Sequence, residues 1–305
     1  MESYQHRNCP ACGGKPNTST RVSSKIAAET LAFNELQAYW NGFFKDKVFF
    51  SYYNCASCGL LFAPIFFTSD QLEKLYREMP DNTAGVPIEA LHRTQYGYFK
   101  SLKKHSSLSG NYLEVGPDIG LFTESCVREG AFKNYWLFEP NRGVWSSLKK
   151  ILVGKKGKII PEMFGFSVVP ENTVSAAVMI HVLDHLLDPV ATLRELQHKL
   201  TPKAALLVVT HDESSLLRKI TGTGWPAYCL QHPQIFNPDS IKVLMNAAGY
   251  EVIHTEKTVN HFPVMYLFKH LMWAFGLRWN IPPWNKFSIG LKLGNMLNIA
   301  VPKKK

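Results

Sequence analysis

Tyr112–Gly120 reads YLEVGPDIG, an apolar run that breaks on a glycine turn, and a second apolar run, Tyr135–Phe138, ends on a carboxylate at Glu139. As two neighbouring strands, these runs deliver a glycine turn and an acid to one edge. Glycine lets the backbone approach a ligand where a Cβ would block it, and an acid at the tip of the next strand can accept both hydroxyls of a ribose. An isolated Gly-x-x-x-Gly is equally an ordinary strand, turn and helix start, so the surroundings decide.

Working outward, helices alternate with short apolar strands from about Ile88. The pattern predicts helix Ile88–His105, strand 112–115, helix Leu121–Glu129, strand 135–138, helix Arg142–Leu152 and strand Lys158–Ile160. It continues with strand Val174–Ile180, helix Pro189–Leu200, strand Ala204–Thr210, helix Asp239–Ala248, strand Glu251–Thr255 and a last strand at Leu297–Val301. Strands this apolar do not face water, and the alternation predicts a parallel sheet covered by helices on both faces. Ligands of such sheets bind at the carboxyl ends of the strands, which is where Gly116, Gly120 and Glu139 fall.

Ahead of this pattern stand two matched cysteine pairs, CPAC at Cys9 and Cys12 and CASC at Cys55 and Cys58, each followed by glycine. A two-residue spacer lets both sulfurs of a pair reach one tetrahedral ion, and the glycine permits the tight turn around it. Four thiolates fill the coordination sphere, so the expected zinc is structural. Disulfides are the weaker reading because the N-terminus MESYQHRNCP lacks a charged-then-apolar leader. Cys126 and Cys229 stand apart and read as buried packing. Between the pairs, mixed helical and aromatic-rich strand patterning suggests a small module clasped at both ends by the ion. Ser69–Met79 reads as a short helix, and Pro80–Pro87, with its Gly, Asn, Asp and two prolines, reads as a linker.

With 305 residues, 46% of them apolar and 19% charged, the chain can bury a large core and suits one main domain with smaller attachments. No apolar run is long enough to span a membrane, so a cytoplasmic protein is expected. The net charge of +10 favours an acidic partner such as RNA, a phosphorylated substrate or an anionic membrane surface, without choosing among them.

The order YLEVGPDIG, WLFEPN and MIHVLDHLLDPVATLRELQHKLTPKAALLVVTHDE resembles the class I S-adenosylmethionine-dependent methyltransferases. Together with the paired cysteines and WPAYCLQHPQIFNPDSIKVLMNAAGY, the chain is similar to the zinc-knuckle methyltransferases of bacterial sugar, polysaccharide and natural-product pathways. The resemblance covers most of residues 9–257 and implies an α/β, Rossmann-like seven-stranded sheet with a small N-terminal zinc module. It divides the chain into a zinc-binding helical module at 1–85, a cofactor domain at 86–257 and a C-terminal lid with the last strand at 258–305. It places S-adenosylmethionine on Glu114, Gly116, Pro117, Asp118, Gly120, Glu139, Pro140 and His181, with zinc on Cys9, Cys12, Cys55 and Cys58. The loop departs from the family at Asp118, where a glycine is usual, and strand four opens on Ser175 where an aspartate is common. Asp118 would either attract the cationic methionine end of the cofactor or hinder its binding. The missing third glycine separates this loop from a dinucleotide fingerprint.

Methyl transfer from a sulfonium is an in-line displacement, so the protein aligns donor and acceptor and, for a hydroxyl or acidic carbon, removes a proton. Histidine suits the second task. His232, in the loop between Trp225 and Phe236, is the first candidate base because related sugar C-methyltransferases carry a histidine there, although the acid often beside it is Gln231 here. His185 is the second; His211 follows strand five, and Tyr228 is a weaker candidate for substrate contact. The aromatic, basic segment His261–Lys292 suits either core packing or a lid over a phosphorylated or lipid-linked acceptor, with peripheral membrane contact. An RNA methyltransferase is the main rival, but the positive charges are scattered and the motif used on base amino groups is replaced by Ile180-His181-Val182-Leu183, so nucleic acid is disfavoured. A non-catalytic paralogue is the second rival.

Overall fold

The computed structural model describes residues 4–40, 47–77, 87–265, 267, 268, 272 and 287–303. Its centre is a sheet of seven strands: β1 Ser109–Val115, β2 Ala131–Phe138, β3 Gly157–Ile160, β4 Val174–Ile180, β5 Leu200–His211, β6 Tyr250–Lys257 and β7 Asn295–Pro302. Their spatial order is β6-β7-β5-β4-β1-β2-β3. The expected strands are all present, each at or around its predicted position, but the sheet is mixed where a parallel one was expected. β7 runs antiparallel to both β5 and β6. It enters from the Ser288–Leu291 side of a ribbon with Asn260–Pro263, so the chain reverses before it reaches the sheet.

Side-chain alternation along β1 divides the molecule into two apolar layers. Tyr112 faces a layer with Tyr98, Phe99 and Leu102 of helix α2 (Ile88–His105) and Phe122 and Cys126 of α3 (Leu121–Glu129). Leu113 and Val115 face the other layer, with Leu193 and Leu196 of α5 (Pro189–Lys199) and Ile241 and Leu244 of α7 (Pro238–Ala247). Helices α2 and α3 span their predicted residues, and α7 begins and ends one residue earlier than predicted. Asn237 caps α7 by accepting from the Asp239 and Ser240 N–H groups. Helix α4 is shorter than expected, Trp145–Ile151, because Arg142–Val144 forms a single 3-10 turn after the Asn141 cap.

The cysteine module lies on the second layer: Cys9, Cys55, Leu60 and Phe62 share a core with Leu113 and Val115. Leu61–Phe62 also pairs antiparallel with Gln234–Ile235 from the loop between β5 and α7. Phe49, Tyr52, Phe66 and Phe67 then pack in one cluster with Trp225, Tyr228 and Leu230. Helix α1, Ser69–Arg77, closes the module. The predicted linker lies outside the described residues except for Pro87, as does most of the predicted lid. The two ends of that lid form the ribbon on α2, where Tyr98 donates to Asn260 Oδ1 at 3.2 Å and the His261 N–H donates to Thr94 at 2.8 Å. No helix among the described residues is long and apolar enough to cross a membrane.

Candidate active site

Strand order reverses at β1, whose neighbours β2 and β4 connect in opposite directions, so a crevice opens at their carboxyl ends. The loop after β1 crosses it. Gly116 has φ 68°, and a Cβ there would stand 3.0 Å from Val182 of the loop after β4. Gly120 has φ 86°, and a Cβ there would meet Ile151 at 2.6 Å and Leu148 at 2.8 Å, so its need for glycine includes packing against α4. Asp118 keeps the backbone of the glycine it replaces, with φ 52°, a conformation that Asp tolerates better than most residues.

Glu139 ties this edge together. It is 5% exposed, and its carboxylate accepts from the Asp118 N–H at 2.9 Å and the Asn141 N–H at 2.8 Å. Burial raises its pKa and the two N–H groups oppose that rise. Trp145 Nε1 donates to the Glu139 carbonyl at 2.9 Å and flanks the edge, next to Pro140. The left-handed turns at Gly116, Asp118 and Gly120 bend the loop over the strand ends, with the Glu139 carboxylate at the tip of β2 as an acceptor. Glu114 lies deeper. Inside the layer its Oε2 accepts from the Tyr112 hydroxyl at 2.6 Å and from the Thr123 hydroxyl, and burial lifts its pKa to about 7 against those hydrogen bonds. Its place is therefore beneath the loop.

Beside the cofactor edge, the structure gathers four histidines from three loops. His181 and His185 follow β4, His211 ends β5, and His232 lies before Gln234–Ile235. Ring centroids separate His181 from His211 by 4.8 Å, His211 from His232 by 4.7 Å and His232 from His185 by 4.6 Å. Asp184, absent from the sequence reading, is the carboxylate among them. It is fully buried and its Oδ2 accepts from His211 Nδ1 at 2.7 Å and the His211 N–H at 3.0 Å. Burial lowers the pKa of His181 to about 3 and pulls His185 and His211 below the ordinary range. His232 behaves differently. Burial works against its protonated form, but Cys229 at 3.3 Å and the Ala227 carbonyl at 2.7 Å outweigh it and lift the pKa to about 9.

The N-terminal module roofs this cluster. The Tyr76 hydroxyl lies 3.0 Å from His185 Nδ1, and the Tyr52 hydroxyl donates to the His232 carbonyl at 2.5 Å. Arg7 donates to Gln234 Oε1 at 2.8 Å, and Gln231 donates to the Trp40 carbonyl at 3.0 Å. Tyr228, by contrast, is held by Arg218 at 3.0 Å and packs with Trp225 in the module core. In the module itself the four sulfurs converge, Cys9 to Cys58 at 3.6 Å and Cys12 to Cys55 at 3.5 Å. Tetrahedral zinc with bonds of about 2.3 Å sets sulfurs about 3.8 Å apart, so the quartet fits. The two knuckles repeat each other: the Gly13 N–H donates to the Cys9 carbonyl and the Gly59 N–H to the Cys55 carbonyl, with both glycines at φ above 70°.

The family described as "Methyltransferase domain" matches residues 90–255, more than half of the chain. No curated protein matches the sequence. Among solved structures, a chain of a Haloferax volcanii complex containing the Trm112 methyltransferase activator is 10% identical, with a TM-score of 0.50 over 71% of this chain and 93% of that one. An Aquifex aeolicus SAM-dependent methyltransferase is 15% identical, with a TM-score of 0.48 over 77% and 99%. One from Leishmania major is 15% identical, with a TM-score of 0.47 over 78% and 93%. Of the three, the Haloferax volcanii chain, at a TM-score of 0.50, speaks for the fold alone.

Proposed function

From the premise that the chain belongs to the methyltransferase-domain family and is an S-adenosylmethionine-dependent methyltransferase, we propose that it methylates a small-molecule acceptor, a sugar, glycan or natural-product intermediate, at an oxygen or an acidic carbon. The observation that carries this reading is the histidine cluster at the carboxyl ends of β4 and β5, beside the loop that would hold the cofactor. Glu139 would accept the ribose hydroxyls, and Gly116, Pro117, Asp118, Gly120 and Pro140 would frame the nucleoside, with His181 at the boundary between cofactor and acceptor. Bound there, S-adenosylmethionine supplies an electrophilic methyl group.

The chain's own part is to align the acceptor and remove its proton, worth roughly 7–11 kcal/mol for alignment and about 10²–10⁴ in rate for the base. His232 takes the second role in its neutral form, in which Nδ1–H donates to the Ala227 carbonyl at 2.7 Å and Nε2 holds the lone pair; with its pKa raised to about 9, turnover is expected to rise with pH toward that value. His185, neutral and held by Tyr76, is the second candidate. An enclosed cluster of rings under an aromatic roof suits a compact polar acceptor, including a phosphorylated or lipid-linked one whose remainder lies outside. We further infer that Cys9, Cys12, Cys55 and Cys58 hold a structural zinc ion, on the support of the converging sulfurs. His232→Ala is expected to lower turnover about 100-fold or more, with S-adenosylhomocysteine affinity near wild type by calorimetry. Unchanged turnover on an identified acceptor would remove His232 from the mechanism.

A further inference from the structure

Three side chains in the cluster keep coordinating capacity that neither the cofactor edge nor His232 uses. Asp184 is fully buried, and while Oδ2 is held by His211, its Oδ1 has no partner among the described residues. His181 Nδ1 is likewise buried without one, although the Asn295 amide, 3.2 Å from Nε2, fixes the ring from the other side. A buried carboxylate oxygen left bare costs about 1–3 kcal/mol, so two such atoms side by side call for an occupant. His181 is also held at φ 53°, a left-handed backbone that costs a non-glycine residue about 1 kcal/mol and that brings its ring over His211. One ligand atom from each of His181, Asp184 and His211 lies within 4.8 Å of the other two.

We propose that His181, Asp184 and His211 form a binding site for a divalent first-row transition cation, distinct from the cysteine quartet, which binds an oxygen of the acceptor. Bonds of about 2.0–2.2 Å place ligand atoms roughly 3–3.6 Å apart, so the trio closes by about an ångström around an ion. The Asp184–His211 pair, at 2.7 Å, stands closer than that and shares a proton; it would open by about half an ångström as the cation replaces that proton. Two imidazoles and one carboxylate suit zinc, iron or manganese and disfavour calcium, which prefers oxygen alone. Such a set also leaves coordination positions open, as a structural four-cysteine site does not. The Asn295 Nδ2 lies 3.2 Å from His181 Nε2, and ligation through Nδ1 requires that amide to turn so that its oxygen accepts from Nε2–H and orients the imidazole. The proposal rests on reading this pocket as the acceptor site. His232, with its ring 4.7 Å from His211, would then stand beside an oxygen whose acidity the cation raises.

Metal content decides it independently of turnover. Protein purified from zinc-supplemented cells is expected to carry about two equivalents of metal per chain, and Asp184→Asn and His211→Gln about one, with the thiolate-bound ion retained. Chains that carry only one ion as isolated are then titrated with Mn2+, which avoids thiolate, and followed by electron paramagnetic resonance. The proposal expects one bound Mn2+ in the wild type and at least a tenfold weaker signal in each variant. Wild type with a single thiolate-held ion and no bound Mn2+ overturns it, as does a variant that matches wild type. S-adenosylhomocysteine calorimetry on the same samples shows that a variant is folded, and turnover of His232→Ala judges the base reading by itself.

Discussion

Glu114 offers a test in which the structure fixes both sign and size. Burial raises its carboxyl to a pKa of about 7, well above an unfolded value near 4.5, and the hydroxyls of Tyr112 and Thr123 only partly restrain the shift. A group whose folded pKa is raised binds protons more tightly in the native state, so its contribution is most favourable at low pH and is lost as pH rises from the unfolded value through the folded one. With pKa values of about 7 and 4.5, that loss is on the order of 2–3 kcal/mol between pH 5 and pH 8. Glu114 is 2% exposed, so solvent screening does not discount the figure.

Glu114→Gln removes the titration while keeping the shape. Urea unfolding of both proteins at pH 5 and pH 8 should therefore show the variant gaining on the order of 2–3 kcal/mol on wild type between the two values. The histidines that titrate in the same window are common to both proteins and cancel in the double difference. At pH 5 the variant is expected to be the less stable, since an amide replaces an acceptor shared by two hydroxyls. Parallel pH curves with a constant offset would refute the assignment and place Glu114 in contact with water or a cation.

Glu139→Ala removes a charged acceptor from the cofactor edge and is expected to weaken S-adenosylhomocysteine binding roughly 10- to 100-fold by calorimetry, while the fold stays intact by circular dichroism. Loss of folding instead of affinity would mean that its hydrogen bonds to Asp118 and Asn141 serve the loop alone. Stripping metal from the cysteine quartet should abolish turnover and lower the melting temperature, with S-adenosylhomocysteine affinity much less affected. Equal loss of both would show that the module supports the whole domain and not the acceptor side in particular.

Much of the fold was legible because its signals are local. β4 and helices α2 and α3 were predicted with their exact observed limits, and the apolar halves of β1 and β2 were found where they are buried. Their starts, half-buried Ser109–Asn111 and Ala131–Asn134, in which only Phe132 is buried, escaped because they carry no continuous apolar run. The direction of β7 escaped for a different reason. Periodicity marks a strand but says nothing of which way it runs, and that depends on how the chain returns through the ribbon. The edge proposed for the cofactor was legible as geometry: Gly116, Gly120 and Glu139 are each set by a strand and the turn that ends it, and the strand order puts the turns together.

The acceptor side was legible only as separate histidines. His181, His185, His211 and His232 could be named, but Asp184 reads as one more polar residue in HVLDHLLDP until β5 brings His211 onto it. The roof was still less visible, since it depends on Leu61–Phe62 pairing with Gln234–Ile235 across most of the chain. That pairing changes what the cysteine knuckles do. One hydrogen-bonded path runs from the turn at Cys55–Leu60 into Leu61–Phe62, then to Gln234–Ile235 and the loop carrying His232, whose carbonyl is gripped by Tyr52. Leu61, Ile235, Tyr52 and Trp225 belong to a single apolar cluster, so neither side of the pairing can shift without opening the other. An ion in the quartet would therefore stabilise the placement of the histidine cluster as well as the module. The acceptor pocket, unlike the cofactor edge, is built by two distant parts of the chain at once, and only the folded structure can bring them together.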